Sequence, residues 1–326
     1  MVRFCNAWFT RVGLLLVTLG WVVACQPSPL PNAAVTADCT RVEHPAGTTC
    51  VPDEMQRLVT LDGVSFEYAI ALGLDPIATV RSELQTSLSA LLTDAVDVGT
   101  TGEPNLEKIL DLKPDLIVGL DFYQDIYPQL TQMAPTLLVN FEHSGQWQDT
   151  FLQMGAALNR SAAAQQTMAA YEARAADFQA QMGARLEDLQ VSVVRIYPDT
   201  ISLYLRDSFA GTVLEDAGLS RPPSQDIAAE EAENRFGNPI QTSISRELLT
   251  QADGDVIFVW SGENTAAAAQ QAATQLQAVQ ADPLWRQLQA VQAGRVYQVP
   301  SYWIGSGPIA ANAILDDLFK YLGQEA

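Results

Sequence analysis

The side chains best suited to hold another molecule are arginines and aromatics, and they fall where short apolar runs end. Reading strands over 57–61, 76–80, 115–120 and 136–140, then over 191–196, 201–205, 256–260 and 295–299, puts Arg81 after the second run. Phe122, Tyr123 and Gln124 follow the third. Arg195 and Tyr197, Arg206, Trp260 and the pair Tyr302–Trp303 mark the ends in the second half. In parallel α/β sheets ligands sit beyond the carboxyl ends of strands. Guanidinium forks meet charged oxygens and rings pack on flat or apolar groups. That chemistry is capture rather than turnover, with Arg81, Tyr123, Arg195, Arg206, Trp260, Tyr302 and Trp303 as the expected ligand contacts.

Catalytic and metal patterns are missing. The chain has two histidines, His44 and His143, far apart in sequence, which is a poor basis for direct zinc or manganese binding. Neither a nucleophile elbow nor a P-loop occurs. Gly305-Ser-Gly307-Pro-Ile-Ala310 fits a dinucleotide fingerprint, but too little chain follows for the second strand and its ribose-binding acid. A helix start is the better reading, with Pro308 in the first turn and Ala311, Ile314, Leu315 and Leu318 on the buried face. No cofactor and no directly bound metal are expected.

The elements that must position these residues begin with a leader. Thirteen nearly all-apolar residues, Val12–Ala24, follow Arg3 and Arg11 and are too few to span a bilayer, but they suit a signal-peptide core over 1–24. Val22-Val23-Ala24-Cys25 resembles a lipobox, so Cys25 is expected to carry lipid. Residues 25–52 hold Pro27, Pro29, Pro31, Pro45 and Pro52 and little apolar content, and read as a flexible tether. Export implies an oxidising compartment, which makes Cys39 and Cys50 a disulfide pair.

The remaining length exceeds what one core usually serves, so two α/β lobes are expected, over 53–160 and 190–326. Between them 161–189 is proline-free, with Met168, Tyr171, Phe178, Met182, Leu186 and Leu189 at helical steps. One helix of that length would span roughly 43 Å and join two Rossmann-like lobes with mainly parallel sheets and a cleft between them. The halves echo each other: Glu107 precedes Asp115 and the run Leu-Ile-Val-Gly-Leu by the spacing at which Glu247 precedes Asp255 and Val-Ile-Phe-Val-Trp. Pro104 is expected in one helical first turn, and Ser245 as the N-cap of the other, with Ile244 and Leu249 as its staple. Matched exposed carboxylates, one per lobe, suit a partner carrying paired arginines. The net charge of −20 argues against nucleic acid.

Arg57-Leu-Val-Thr-Leu-Asp62, Glu67-Tyr-Ala-Ile-Ala-Leu-Gly-Leu-Asp-Pro76 and Val98 through Gly119, with its Asn-Leu-Glu and Lys-Pro-Asp-Leu-Ile segments, resemble periplasmic-binding-fold proteins for ferric siderophores and vitamin B12. Leu284–Tyr297 and Trp303–Ala311 extend the resemblance to the C terminus. It implies a monomeric, lipid-anchored binding protein on the periplasmic face of the cell envelope. Such a protein gives a ferric siderophore to the permease and ATPase of an ABC importer, with Glu107 and Glu247 meeting permease arginines. Cobalamin or haem is the alternative ligand, and a ligand-sensing module the alternative role.

Overall fold

The computed structural model describes residues 39–82, 84 and 94–323. Cys25 and the apolar run before it lie outside those residues. Among the described residues the strands are β1 (Cys39–His44), β2 (Gly47–Pro52), β3 (Leu58–Thr60), β4 (Ala78–Arg81), β5 (Val96–Thr100), β6 (Glu103–Pro104) and β7 (Leu116–Leu120). β8 (Thr136–Val139), β9 (Val191–Ile196), β10 (Ile201–Tyr204), β11 (Gln241–Ile244), β12 (Val256–Ser261) and β13 (Val296–Gln298) complete the set.

The first sheet runs β6-β5-β4-β3-β7-β8 and is parallel except at its β5–β6 edge. Its central strands β3 and β7 are buried throughout, as unbroken apolar runs predict for strands covered on both faces. The second sheet runs β11-β10-β9-β12-β13. Here β9, β12 and β13 are parallel, while β10 and β11 are antiparallel to their neighbours. Only Tyr197-Pro-Asp-Thr200 separates β9 from β10, too short for a crossover, so the chain turns back with Tyr197 N–H donating to Thr200 O.

The internal echo is structural. Asp115 Oδ2 accepts the N–H groups of Gln56 and Arg57 at 2.7 and 3.0 Å, at the entry of the neighbouring parallel strand β3. Asp255 Oδ2 accepts the N–H of Gln190 at 2.8 Å, at the entry of the neighbouring parallel strand β9. Each aspartate thus fixes the register of a central strand pair.

Three sequence expectations change; one is the long helix, expected over 161–189, which ends at Met182. The tether over 25–52 ends sooner than its prolines suggest, because Cys39–His44 and Gly47–Pro52 form an antiparallel hairpin against β8. Val51 is fully buried, Thr49 Oγ1 donates to Thr136 O, and Cys39 and Cys50 form a disulfide across the hairpin. Pro104 lies in β6 rather than in a helical turn; the helix Leu106–Leu112 starts two residues later, with Asn105 as its N-cap accepting from Lys108 N–H.

The long helix covers Ser161–Met182, about 33 Å at 1.5 Å per residue. It stops at Gly183, whose φ of 56° is open to glycine at little cost, and a 3₁₀ turn over Gly183–Leu186 follows. Ala164, Met168, Tyr171, Ala175, Phe178 and Met182 form its buried face. Around it, one apolar core runs from Leu58, Leu116 and Trp147 on the first sheet's side to Val193, Phe258 and Trp303 on the second's. Further clusters cover the outer face of each sheet, around Val59 and Ile117, and around Val194 and Ile257. Hydrogen bonds reinforce the join: Tyr171 hydroxyl and Gln148 amide both donate to Asp216, and Trp147 Nε1 donates to Thr212. The halves therefore share a continuous core and cannot swing on loose linkers.

Candidate functional site

The segments that leave the parallel strands converge on one concavity of about 470 Å³. From the first half, Asp62, Gly63 and Val64 follow β3, Ser82 and Leu84 follow β4, Thr101 follows β5, and Phe122 follows β7. Phe141, Glu142, His143 and Ser144 follow β8. The facing wall comes from Asn238–Ile240 before β11, Asn264 after β12, and Ser301, Tyr302 and Ile304–Ser306 after β13. The cleft thus lies beyond the carboxyl ends of the parallel strands, where this topology leaves room for a ligand.

Its floor is built on two acids. Asp62 caps the helix Gly63–Ala71: its Oδ1 accepts Ser65 N–H at 2.7 Å, and its Oδ2 accepts Ser65 hydroxyl and Leu120 N–H at 3.0 Å each. These bonds tie the end of β3 to the end of β7. Burial pushes the Asp62 carboxyl up to about 6, opposed by the N–H groups of Ser65 and Leu120. Glu67, one turn along, is pushed up to about 7 by burial, opposed by the N–H groups of Ala310 and Ile309. Bridges also cross the cleft. Ser82 hydroxyl donates to Asn264 Oδ1 at 2.7 Å, and Ser301 hydroxyl donates to Leu84 O at 3.1 Å.

Of the expected ligand contacts, Tyr302 alone lines this cleft among the described residues. Its hydroxyl donates to Asp317 Oδ2 at 2.7 Å, and Trp303 Nε1 donates to the same oxygen at 2.9 Å, which fixes the turn carrying both. The rest of the set does not line the cleft. Trp260 and Trp303 are 0% exposed and belong to the central core. Tyr123 turns inward, its hydroxyl donating to Leu61 O and accepting from Gly102 N–H. Its neighbour Phe122, 52% exposed, faces the cleft instead.

The arginines are drawn into the protein's own contacts. Arg195 is 4% exposed, sandwiched between the Tyr197 ring at 4.0 Å and the Trp260 ring at 4.4 Å. It donates to Tyr204 hydroxyl and Gly262 O and pairs with Glu263 at 3.5 Å. Arg206 pairs with Asp226 at 3.1 Å and Asp207 at 3.5 Å. Arg81 closes β4 and donates to Ala95 O at 2.7 Å. Sequence reasoning missed Asp62, Glu67, Phe141–Ser144 and Asn238–Ile240. The strand-end rule, applied to the run ending at Asn140, would have found Phe141. Among the described residues no group of three or more His, Cys, Asp or Glu is placed to hold a metal ion.

Glu107 is exposed in the first turn of the helix Leu106–Leu112. Glu247 is exposed in the first turn of a 3₁₀ run over Arg246–Ala252, and its carboxyl is held below the usual range chiefly by the Ser245 hydroxyl. Ser245 stands at the N-cap position but makes no side-chain bond to a backbone N–H there; Ile244 and Leu249 share the cluster beneath.

The sequence pattern of the family described as "Periplasmic binding protein" matches residues 58–303. The chain belongs to this family. The probable siderophore-binding lipoprotein YfiY of Bacillus subtilis is 31% identical over 300 residues, covering 89% of this chain and 90% of that protein. The Fe(3+)-citrate-binding protein YfmC of the same organism is 26% identical over 306 residues, 91% of this chain and 90% of that one. Among solved structures, Staphylococcus aureus SirA complexed with staphyloferrin B matches with a TM-score of 0.74 and 28% identity, over 87% of this chain and 98% of SirA. The family is one of binding proteins, and its two-lobed α/β architecture is the one described above.

Proposed function

We propose that this chain captures a ferric siderophore between its lobes and delivers it to the membrane subunits of an ABC importer, performing no chemistry of its own. The observation that carries the reading is the cleft: about 470 Å³, walled by both halves, in a chain whose similar proteins are named for siderophores and ferric citrate. The chelator supplies the ligands to iron, so the protein needs only shape, apolar surface and hydrogen bonds. Phe122, Phe141, Ile240 and Tyr302 provide the apolar surface, and Asn238, Asn264 and Ser144 the polar points. Glu107 and Glu247 are the docking residues, one on each half, exposed and available to arginines of the permease. Lipid on Cys25 holds the monomer to the membrane at the periplasmic face.

The test is titration of the purified protein with ferric hydroxamate, catecholate and citrate complexes and with cobalamin, followed by calorimetry and melting temperature. Binding of at least one ferric complex at micromolar concentration or below is expected. Silence from every ferric complex would defeat the proposal.

A further inference from the structure

Resting on that reading, we infer that the chelate held here carries no net negative charge: a trihydroxamate-type ferric complex, neutral or bearing a protonated amine, rather than a polyanionic catecholate or carboxylate complex. The charge of the cleft wall points this way. Its ionisable residues among those described are Asp62, Glu67, Glu142, His143 and the Tyr302 phenol, with no lysine or arginine. The chain has only three lysines, Lys108, Lys113 and Lys320, and none lines the cleft. In sequence, the connection from Ser82 to Ala95 contains no lysine or arginine either.

The arginines closest in sequence to the wall segments are already engaged: Arg81, next to Ser82, donates to Ala95 O at 2.7 Å, and Arg235, three residues before Asn238, pairs with Glu231 at 2.6 Å. Arg206 lies between Asp207 and Asp226, and Arg195 pairs with Glu263. A polyanion entering the cleft would meet carboxylates with no lining cation among the described residues to offset them, in surroundings where charge is poorly screened.

What the wall does offer is neutral. The Ser144 hydroxyl, in a residue only 8% exposed, has no hydrogen-bond partner among the described residues. His143 Nδ1 accepts Gly145 N–H at 3.2 Å, which leaves Nε2 to carry a proton and donate. Asn238 Oδ1 accepts from Ile240 and Gln241 N–H, so its amide hydrogens remain to donate. Such donors suit hydroxamate oxygens whose charge iron has already cancelled, while Val64, Leu84, Phe122, Phe141 and Ile304 receive the aliphatic arms. Glu142, exposed at the mouth with Oε2 accepting from Gln146, suits a pendant ammonium.

The test is calorimetric titration near neutral pH with ferrichrome (a neutral trihydroxamate), ferric desferrioxamine B (cationic), a ferric tris-catecholate (trianionic) and ferric citrate. Both hydroxamates are expected to bind at least a hundredfold more tightly than the other two, about 2.8 kcal/mol. A catecholate or citrate complex that binds as tightly as the hydroxamates overturns the charge inference and leaves the siderophore reading standing. Binding by none of the four overturns both. A second arm uses Glu142→Lys, an exposed change with little effect expected on folding. Affinity for the tris-catecholate should rise at least tenfold and that for ferric desferrioxamine B should fall; an unchanged ratio overturns the assignment.

Discussion

The carboxylate of Glu67, in the helix Gly63–Ala71, accepts the N–H of Ala310, in the first turn of the final helix Pro308–Tyr321, at 2.8 Å. A side chain from the first half thus caps a helix that starts in the second half's cleft wall. Gly307 makes the approach possible, since a Cβ there would lie 2.6 Å from the carboxyl group. The favourable helix terminus only partly offsets the cost of burying the charge.

A pH dependence follows. Glu67 binds its proton more tightly in the folded protein, with a pKa of about 7 against an ordinary 4.5. Its contribution to stability is therefore full below about pH 4.5 and is lost as pH rises to about 7, by about 3 kcal/mol. Glu67→Gln keeps an acceptor for Ala310 without the charge. Denaturant unfolding should show the variant gaining on wild type across that window, and parallel stability curves would contradict the assignment.

Gly145 sets how closely the walls approach. A Cβ there would stand 1.9 Å from the carbonyl oxygen of Asp207, so Gly145→Ala must push the turn Ser144–Gln146 away from the facing loop. A loss of about 1–3 kcal/mol in stability is expected, along with at least a tenfold loss of ligand affinity. A variant that binds like wild type would show that this approach does not shape the cleft.

Replacing Glu107 and Glu247 together with alanine should leave melting temperature and ligand affinity as they were, because both side chains are exposed and neither lines the cleft. Uptake by cells, or ligand-stimulated ATPase in reconstituted importer, should fall more than tenfold. Retained uptake would remove the docking role.

Serine at Cys39 and Cys50 opens a small loop of sequence separation 11. Chain entropy bounds the cost at about 3 kcal/mol. The hairpin is also held by Val51 and by the Thr49 bond to β8. A lowered melting temperature is expected with ligand affinity retained, and a reductant should shift wild type by the same amount.

The strands most legible in the sequence are those buried on both faces, although the half-exposed edge strand Val296–Gln298 is legible as well. Leu116–Leu120 and residues 256–260 read as unbroken apolar runs and Val191–Ile196 as one interrupted by Ser192 and Arg195, and all three sit where expected. Val96–Thr100 and Gln241–Ile244 escaped because edge and near-edge strands carry polar residues that imitate loop. The hairpin Cys39–Pro52 escaped because its half-exposed pattern sits amid prolines. The cleft was legible as a place, from the strand-end rule, but not as a set of side chains. Sequence cannot say that Phe122 turns out while Tyr123 turns in, since that depends on which neighbour can accept the Tyr123 hydroxyl. Nor does an arginine's position reveal that Asp226 or Glu263 has already claimed it.

The shared core around Ser161–Met182 bears on how cargo leaves. A core common to both halves resists their separation, so an occupied cleft is expected to keep nearly the same mouth as an empty one, with residence time set by contacts rather than by a shut door. Unloading must then come from outside: the receiving complex has to pull on both halves at once and spend its own energy to strain a joint that thermal motion alone rarely opens.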